Sequence, residues 1–354
     1  MVKKKETSFL DEILDKYGEE VAIRKYKKGI PAISTGSLGI DVSTGIGGIP
    51  KGRFTEIYGA DGSGKTTLLL NIAKQALLAG ERVAFIDTEN SLDYAYAHDI
   101  IGDFDSDGLI IIQPESAEDS FEIALSAIDH GYGVILFDSV AALSPEKELE
   151  NRMDKAQVAL APRLTSKFLR KVAFKVRQKE VAFVFTNQVR ANMGSYVGGW
   201  TTPAGYALKH YVSLKIFLQR SDEIKDGEDV IGHFIKFTIK KNKVGKPYRQ
   251  ATTNIIWGKG IDFYRDVLSF GTLLGVIKNR GSYFGFEDET IGNKPGAANT
   301  ARALGKDKEL LDKIVEMCYN VAGSKRYQKE EQKKEEQKSV KRENDDGKND
   351  GGRG

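Results

Sequence analysis

From about residue 55 the chain alternates between two hydrophobic patterns. Apolar runs at 55–58, 82–87, 109–113, 134–138, 181–186 and 213–218 have the length and the β-branched or aromatic content of buried strands. Between them, at 66–78, 117–128 and 163–178, apolar side chains return every three or four positions, as in helices with one buried face. Strands without polar alternation, joined by helices, predict a mainly parallel sheet covered on both faces. Two further strands, 235–240 and 252–257, flank a turn rather than a helix and predict an antiparallel extension.

The two ends read differently. Leu10, Ile13, Leu14 and Tyr17 recur at helical spacing behind Thr7 and Ser8, either of which suits an N-cap, and a basic run follows at 24–28. One short amphipathic helix cannot bury its apolar face alone, so it is expected to dock on its own core or on a neighbouring subunit. Past Gly260 a smaller, helix-rich region runs to about Tyr319. From about Ser324 the chain mixes Lys, Glu, Gln, Asp and Gly without apolar period, the composition of a disordered tail. The expected division is 1–32 helix and linker, 33–262 core, 263–322 small C-terminal domain and 323–354 tail.

Composition narrows the field. Among 354 residues, 53 Lys and Arg face 50 Asp and Glu, so any nucleic-acid site must be a local patch rather than a global field. The single cysteine, Cys318, excludes an intrachain disulfide and fits a reducing, cytoplasmic compartment. No apolar run reaches the roughly 18 residues of a membrane span, and Lys3, Lys4 and Lys5 open on charged sequence, so no membrane partner is expected.

Gly59-Ala60-Asp61-Gly62-Ser63-Gly64-Lys65-Thr66 fits G-x-x-x-x-G-K-[ST] between a predicted strand and a predicted helix. Glycines let backbone N–H groups turn inward around phosphate, and the helix N-terminus favours the anion. Lys65 would reach the β- and γ-phosphates of ATP, and the Thr66 hydroxyl would ligate Mg²⁺. Asp138 ends the apolar run Val134-Ile135-Leu136-Phe137, as an acid holding the metal's water shell should. Phe85-Ile86-Asp87-Thr88-Glu89 ends in acids too. Glu89 is a candidate base for the attacking water, although the residue alone fits a solvated strand-end acid as well.

With these motifs stand Ile33-Ser34-Thr35-Gly36-Ser37-Leu38-Gly39-Ile40-Asp41, Gly47-Gly48-Ile49-Pro50-Lys51-Gly52-Arg53 and Asp138-Ser139-Val140-Ala141-Ala142-Leu143. Asn187-Gln188-Val189-Arg190, Ala207-Leu208-Lys209 and Lys241-Asn242-Lys243 complete the set. In order and spacing it closely resembles bacterial RecA recombinases across residues 10–320. The resemblance implies an α/β P-loop NTPase core of RecA type, with a mainly parallel twisted sheet, an N-terminal helix and a small α/β C-terminal domain. It implies a DNA-dependent ATPase that forms helical filaments of its own copies on single-stranded DNA and pairs that strand with homologous double-stranded DNA.

The resemblance also assigns roles. Glu89 becomes the catalytic glutamate, Thr67 joins the phosphate cradle, and Asp93 and Tyr96 hold the adenine. Gln188 senses the γ-phosphate, and Lys241 and Lys243 reach the nucleotide of the neighbouring protomer. By themselves two lysines flanking Asn242 fit a solvated strand end. Two segments, the polar 148–159 and the glycine-rich 193–205, correspond to DNA-facing loops. With them go Arg163, Ser166, Arg170, Arg190, Tyr196, Trp200, Ala204, Gly205 and Tyr206. Cations and N–H donors without base preference suit a protein that accepts any sequence. In the C-terminal region, Lys278, Arg280 and Lys294 are candidates to attract duplex DNA, against a plain solvated basic face.

Three departures mark a divergent member. Ala204-Gly205-Tyr206 replaces the family's Gly-Gly-Asn, Val158 stands where a methionine is common, and the tail lacks net acidity. The same core also occurs in ring helicases, and a DNA-binding scaffold without turnover is a further reading. A small-molecule kinase has no acceptor pocket or lid to recommend it.

Overall fold

The apolar runs become the inner strands of one eight-stranded sheet, in a computed structural model that describes Glu12, Asp15 and Lys16, then residues 29–150, 160–191, 200–201 and 205–324. The strands are β1 Arg53–Gly59, β2 Val83–Asp87, β3 Leu109–Ile112, β4 Val134–Asp138 and β5 Ala182–Gln188. After them come β6 Val212–Asp226, β7 Asp229–Asn242 and β8 Gln250–Ile256. Their order is β8-β7-β6-β1-β5-β4-β2-β3. Strands β1 to β6 are parallel; β7 and β8 add antiparallel on the β6 side. The predicted sheet and its extension are both present.

Helices cover the two faces. On one lie α1 Leu38–Thr44, α2 Lys65–Leu78 and α3 Tyr94–Ile101, with α7 Phe263–Leu273, α8 Ala297–Leu304 and α9 Lys308–Val321. On the other lie α4 Ala117–Asp129, α5 Leu160–Gln178 and α6 Gly205–Tyr211. Side-chain oxygens of Ser37, Asp93, Ser116 and Asp262 cap α1, α3, α4 and α7, satisfying N–H groups that the first helical turn leaves open. The second face has an aromatic core in which Phe121 and Phe168 stack at 4.3 Å and Phe183 and Phe185 at 4.6 Å.

The C-terminal region adds a small antiparallel sheet, β9 Ile277–Arg280, β10 Tyr283–Phe286 and β11 Glu289–Thr290. Its Leu304, Ile314 and Cys318 join the same buried cluster as Leu38, Leu69 and Phe237. Asp266 of α7 accepts from Ser37 Oγ at 3.0 Å and Gly39 N at 3.1 Å. Burial raises the Asp266 carboxyl to about 6 and that of nearby Asp41 to about 7. It also lifts the Cys318 thiol to about 12, which suits a core residue rather than a reactive one.

The structure departs from the sequence reading in strand length. Predicted over 213–218, β6 runs 15 residues, and β7 runs 14. Residues 219–223 are exposed and polar, so nothing apolar marks them. Backbone pairing carries this outer hairpin to a two-residue turn between Asp226 and Asp229, with Gly227 at φ 67°. The predicted N-terminal helix lies outside the described residues apart from Glu12, Asp15 and Lys16, and so does the tail from 325. No helix among the described residues is long and apolar enough to cross a membrane.

Candidate functional site

The carboxyl ends of parallel strands are where α/β sheets leave a crevice, and β1 ends there in the glycine-rich loop. Gly62 and Gly64 take φ of 68° and 85°, a left-handed region that turns successive N–H groups to one side. At Gly64 a Cβ would also stand 2.5 Å from the Cδ1 atoms of Ile235 and Ile255, whose side chains would have to shift. The Lys65 ammonium donates to Gly59 O at 3.3 Å and Ala60 O at 3.0 Å, folded back over the loop it follows. Ser63, just before that helix, is buried.

Strand ends then bring acids to the loop. Thr66 Oγ1 donates to Asp138 Oδ2 at 2.6 Å, and Thr186 of β5 donates to the other Asp138 oxygen. Burial raises the Asp138 carboxyl above its ordinary value against those two hydrogen bonds. A hydroxyl and a carboxylate in contact, with Lys65 nearby, are the oxygen donors a hard divalent cation beside phosphate takes, so Thr66 and Asp138 fit Mg²⁺. Glu89 accepts from Ser139 Oγ at 2.5 Å, while Asp87 accepts from Glu89 N, Leu92 N and Gln113 Nε2 at 3.0–3.2 Å. Asp87 therefore shapes the loop and Glu89 faces the end of β4. Thr67 Oγ1 and the Tyr96 hydroxyl are 3.0 Å apart, and Asp93 caps α3 through Ala95 N and Tyr96 N. Gln188 ends β5 as the register partner of Gly59.

Lys241 and Lys243 are not brought to this loop. Lys241 pairs with Lys215, and Lys215 pairs with Glu56, three residues before Gly59. Their amines donate to Lys209 O at 2.6 Å and His210 O at 3.3 Å near the end of α6. Burial, then Lys243 and Lys215, pull the Lys241 ammonium below its ordinary value.

Among the expected DNA-facing residues, Arg163 and Arg170 are exposed and Ser166 half-buried along one side of α5. Arg190–Ala191 and Trp200–Thr201 pair antiparallel, closing the base of the segment between them, and Gly205 and Tyr206 open α6. Tyr196 and Ala204 lie outside the described residues, as do the side chains of Arg190, Trp200 and Tyr206. In the C-terminal region Arg280 donates to Glu287 O and Asp288 O, bracing a turn, while Lys278 and Lys294 are exposed.

Sequence reasoning missed four contributors. Ser139 and Thr186 gain their roles through register, which no local pattern announces. Exposed Lys167 stands with Arg163 and Arg170 on α5 and was legible from helical spacing. Lys215 has no motif to mark it. A cavity of about 1060 Å³ opens elsewhere, on the far half of α2, lined by Lys74, Gln75, Tyr264 and Tyr319.

A phosphate-binding loop at the head of a parallel sheet, an acid pair on the neighbouring strand ends and a hydroxyl for the cation define a P-loop nucleotide hydrolase. The family model for the RecA N-terminal domain matches residues 4–262. Proteins named Protein RecA from Pseudomonas fluorescens and Marinobacter nauticus are similar at 38% and 39% identity. These alignments cover 88% of this chain and 89% of the first relative, and 81% and 82% for the second. One from Pseudomonas tolaasii is 37% identical over 88% of this chain and 92% of its own. The chain belongs to the RecA family. It is a recombinase with ATP hydrolase activity.

Proposed function

We propose that the chain polymerises on single-stranded DNA and hydrolyses ATP at sites completed by the next protomer, gripping DNA while ATP is bound and pairing it with a homologous duplex. The observation that carries this reading is the position of Lys241 and Lys243. They form a cationic cluster away from the loop of their own chain, with the Lys241 ammonium drawn down by burial and then by the neighbouring lysines. Such a cluster calls for an anion that another molecule supplies. A second copy's triphosphate meets that need, in the manner of a trans-acting arginine finger.

The chemistry follows from named groups. Backbone N–H groups at 62–66 and the Lys65 ammonium hold the β- and γ-phosphates. Thr66 and Asp138 would hold Mg²⁺, which would supply positive charge against the phosphates. Glu89, held by Ser139, orients a water and accepts its proton as the water oxygen bonds to the γ-phosphorus and the bond to the β-phosphate oxygen breaks. ADP and phosphate leave. Gln188 stands beside Gly59 and two residues before Arg190, so a γ-phosphate contact there bears on the segment closed by Arg190–Ala191 and Trp200–Thr201. On α5, Arg163, Ser166 and Arg170 meet backbone phosphates of the bound strand, with Lys167 beside them.

The test is ATP hydrolysis with and without single-stranded DNA for the wild type, Glu89→Ala, Lys241→Met and an equal mixture of the two variants. DNA stimulation lost in each variant and partly restored in the mixture supports a shared site, because some interfaces then combine an intact Glu89 with an intact Lys241. Two variants that stay inactive together sink the shared site. Hydrolysis indifferent to DNA sinks the coupling.

A further inference from the structure

A row of charged side chains crosses three adjacent strands. Glu56 of β1, Lys215 of β6 and Lys241 of β7 are register partners in turn. Glu56 is 1% exposed, and a carboxylate so deep is costly unless paired. Asn187 Nδ2 donates to Oε1 at 3.1 Å, and the Lys215 ammonium lies 2.9 Å from Oε2, an ion pair without hydrogen-bond geometry. That ammonium also sits 4.3 Å over the Tyr58 ring. Burial and the negative charge of Glu56 raise the Tyr58 hydroxyl to about 12.

From Lys215 outward the charge is positive. Lys209, Lys215, Lys241 and Lys243 crowd together, and Glu56 is the acid facing them among the groups that act on Lys241. The ladder is irregular between Lys215 and Ile216, which leaves Lys240 as an extra residue on β7. Such bulges re-aim neighbouring side chains. The row also ends at groups already given functions. Asn187 precedes Gln188, the register partner of Gly59, and Lys241 is assigned to a neighbour's phosphate.

We propose that Lys215 and Glu56 are a positioning pair that couples the two ATP sites each protomer touches, so that phosphate held by Lys241 is felt at Gln188. This rests on the reading that Lys241 and Lys243 act on a neighbouring copy's nucleotide. Without phosphate, the other lysines repel Lys215 toward Glu56. A triphosphate on Lys241 and Lys243 weakens that push, changes how Glu56 divides its charge between Lys215 and Asn187, and shifts the end of β5. The coupling is a free-energy linkage between sites and shows itself as cooperativity in ATP.

The experiment is a titration of ATP hydrolysis on saturating single-stranded DNA with the full chain. Lys215→Met strands a buried carboxylate and lowers stability, so the double variant Glu56→Gln/Lys215→Met carries the test. It leaves no buried charge unpaired and keeps an acceptor for Asn187. The expected result is a Hill coefficient above 1 in the wild type that falls to about 1 in the double variant. Maximal rate should stay within about threefold, and Lys215→Arg should restore the cooperativity. A folded double variant with wild-type cooperativity overturns the proposal, and so does a wild-type Hill coefficient of 1 or an arginine variant as deficient as the double one. Failure of the parent reading is distinguishable: Lys241→Met would then hydrolyse ATP as the wild type does, taking this inference with it.

Discussion

The two sides of the sheet solve opposite problems. In β4 and β5 nearly every residue is buried, because helices cover both faces, and chemistry is confined to strand ends such as Asp138 and Gln188. In β6, β7 and β8 one face is buried against α1, α2 and α7, while the other carries Lys215, Lys236, Lys240 and Lys241 along the strands. In β4 the polar group comes only where the strand stops, so the strand end makes a site that works inside one chain. A half-covered sheet can display charge across its width, which suits a surface meant for another molecule. One side carries the phosphate-binding loop and the other a row of lysines.

Substitutions that break or sharpen this contrast rank by expected effect. Lys65→Ala, on the covered side, should lower DNA-stimulated hydrolysis by about 10²–10³-fold, as loss of a charge-stabilising donor typically does, with an unchanged urea midpoint. Phe137→Ala in the covered core should cost about 3–5 kcal/mol in urea unfolding. Phe217→Ala, half-buried on the extension, should cost about 1 kcal/mol, and equal costs would erase the distinction between the halves. Ser139→Ala leaves Glu89 without its hydroxyl partner and should lower kcat about tenfold with little change in KM for ATP. An unchanged kcat would remove Ser139 from the site.

The smallest effect is a pH dependence on the extension. His233 is buried on β7, neither ring nitrogen has a hydrogen-bond partner among the described residues, and burial, with Arg220, lowers its pKa from 6.5. The unfolded chain therefore binds more protons as pH falls through about 6.5, and stability is lost there. His233→Phe should gain stability relative to the wild type as pH drops from 8 to about 5.5, read from paired urea midpoints. A gain independent of pH would mean that titration plays no part.

Legibility followed the same divide. Covered strands are continuous apolar runs, so β1, β2, β4 and β5 could be placed within a few residues. The outer parts of β6 and β7 gave no such sign, since backbone hydrogen bonds hold polar residues there. The loop at 59–66 and Asp138 were readable because phosphate and metal chemistry fixes residue types at short spacing. Glu89 was a bare strand-end candidate that family resemblance singled out, and Tyr96 and Lys241 came into view through that resemblance rather than through pattern.

The sequence by itself determined the class of fold and the nucleotide loop, because burial and phosphate binding both write local patterns into the chain. It also limited any DNA site to patches, since its charges nearly cancel. Only the tertiary structure decided that Thr66 and Thr186 converge on Asp138 and that Ser139 holds Glu89. It alone aligned Glu56, Lys215 and Lys241 across three strands and set Lys241 away from its own phosphate loop. Register joins residues more than a hundred positions apart, and no local spacing carries that information.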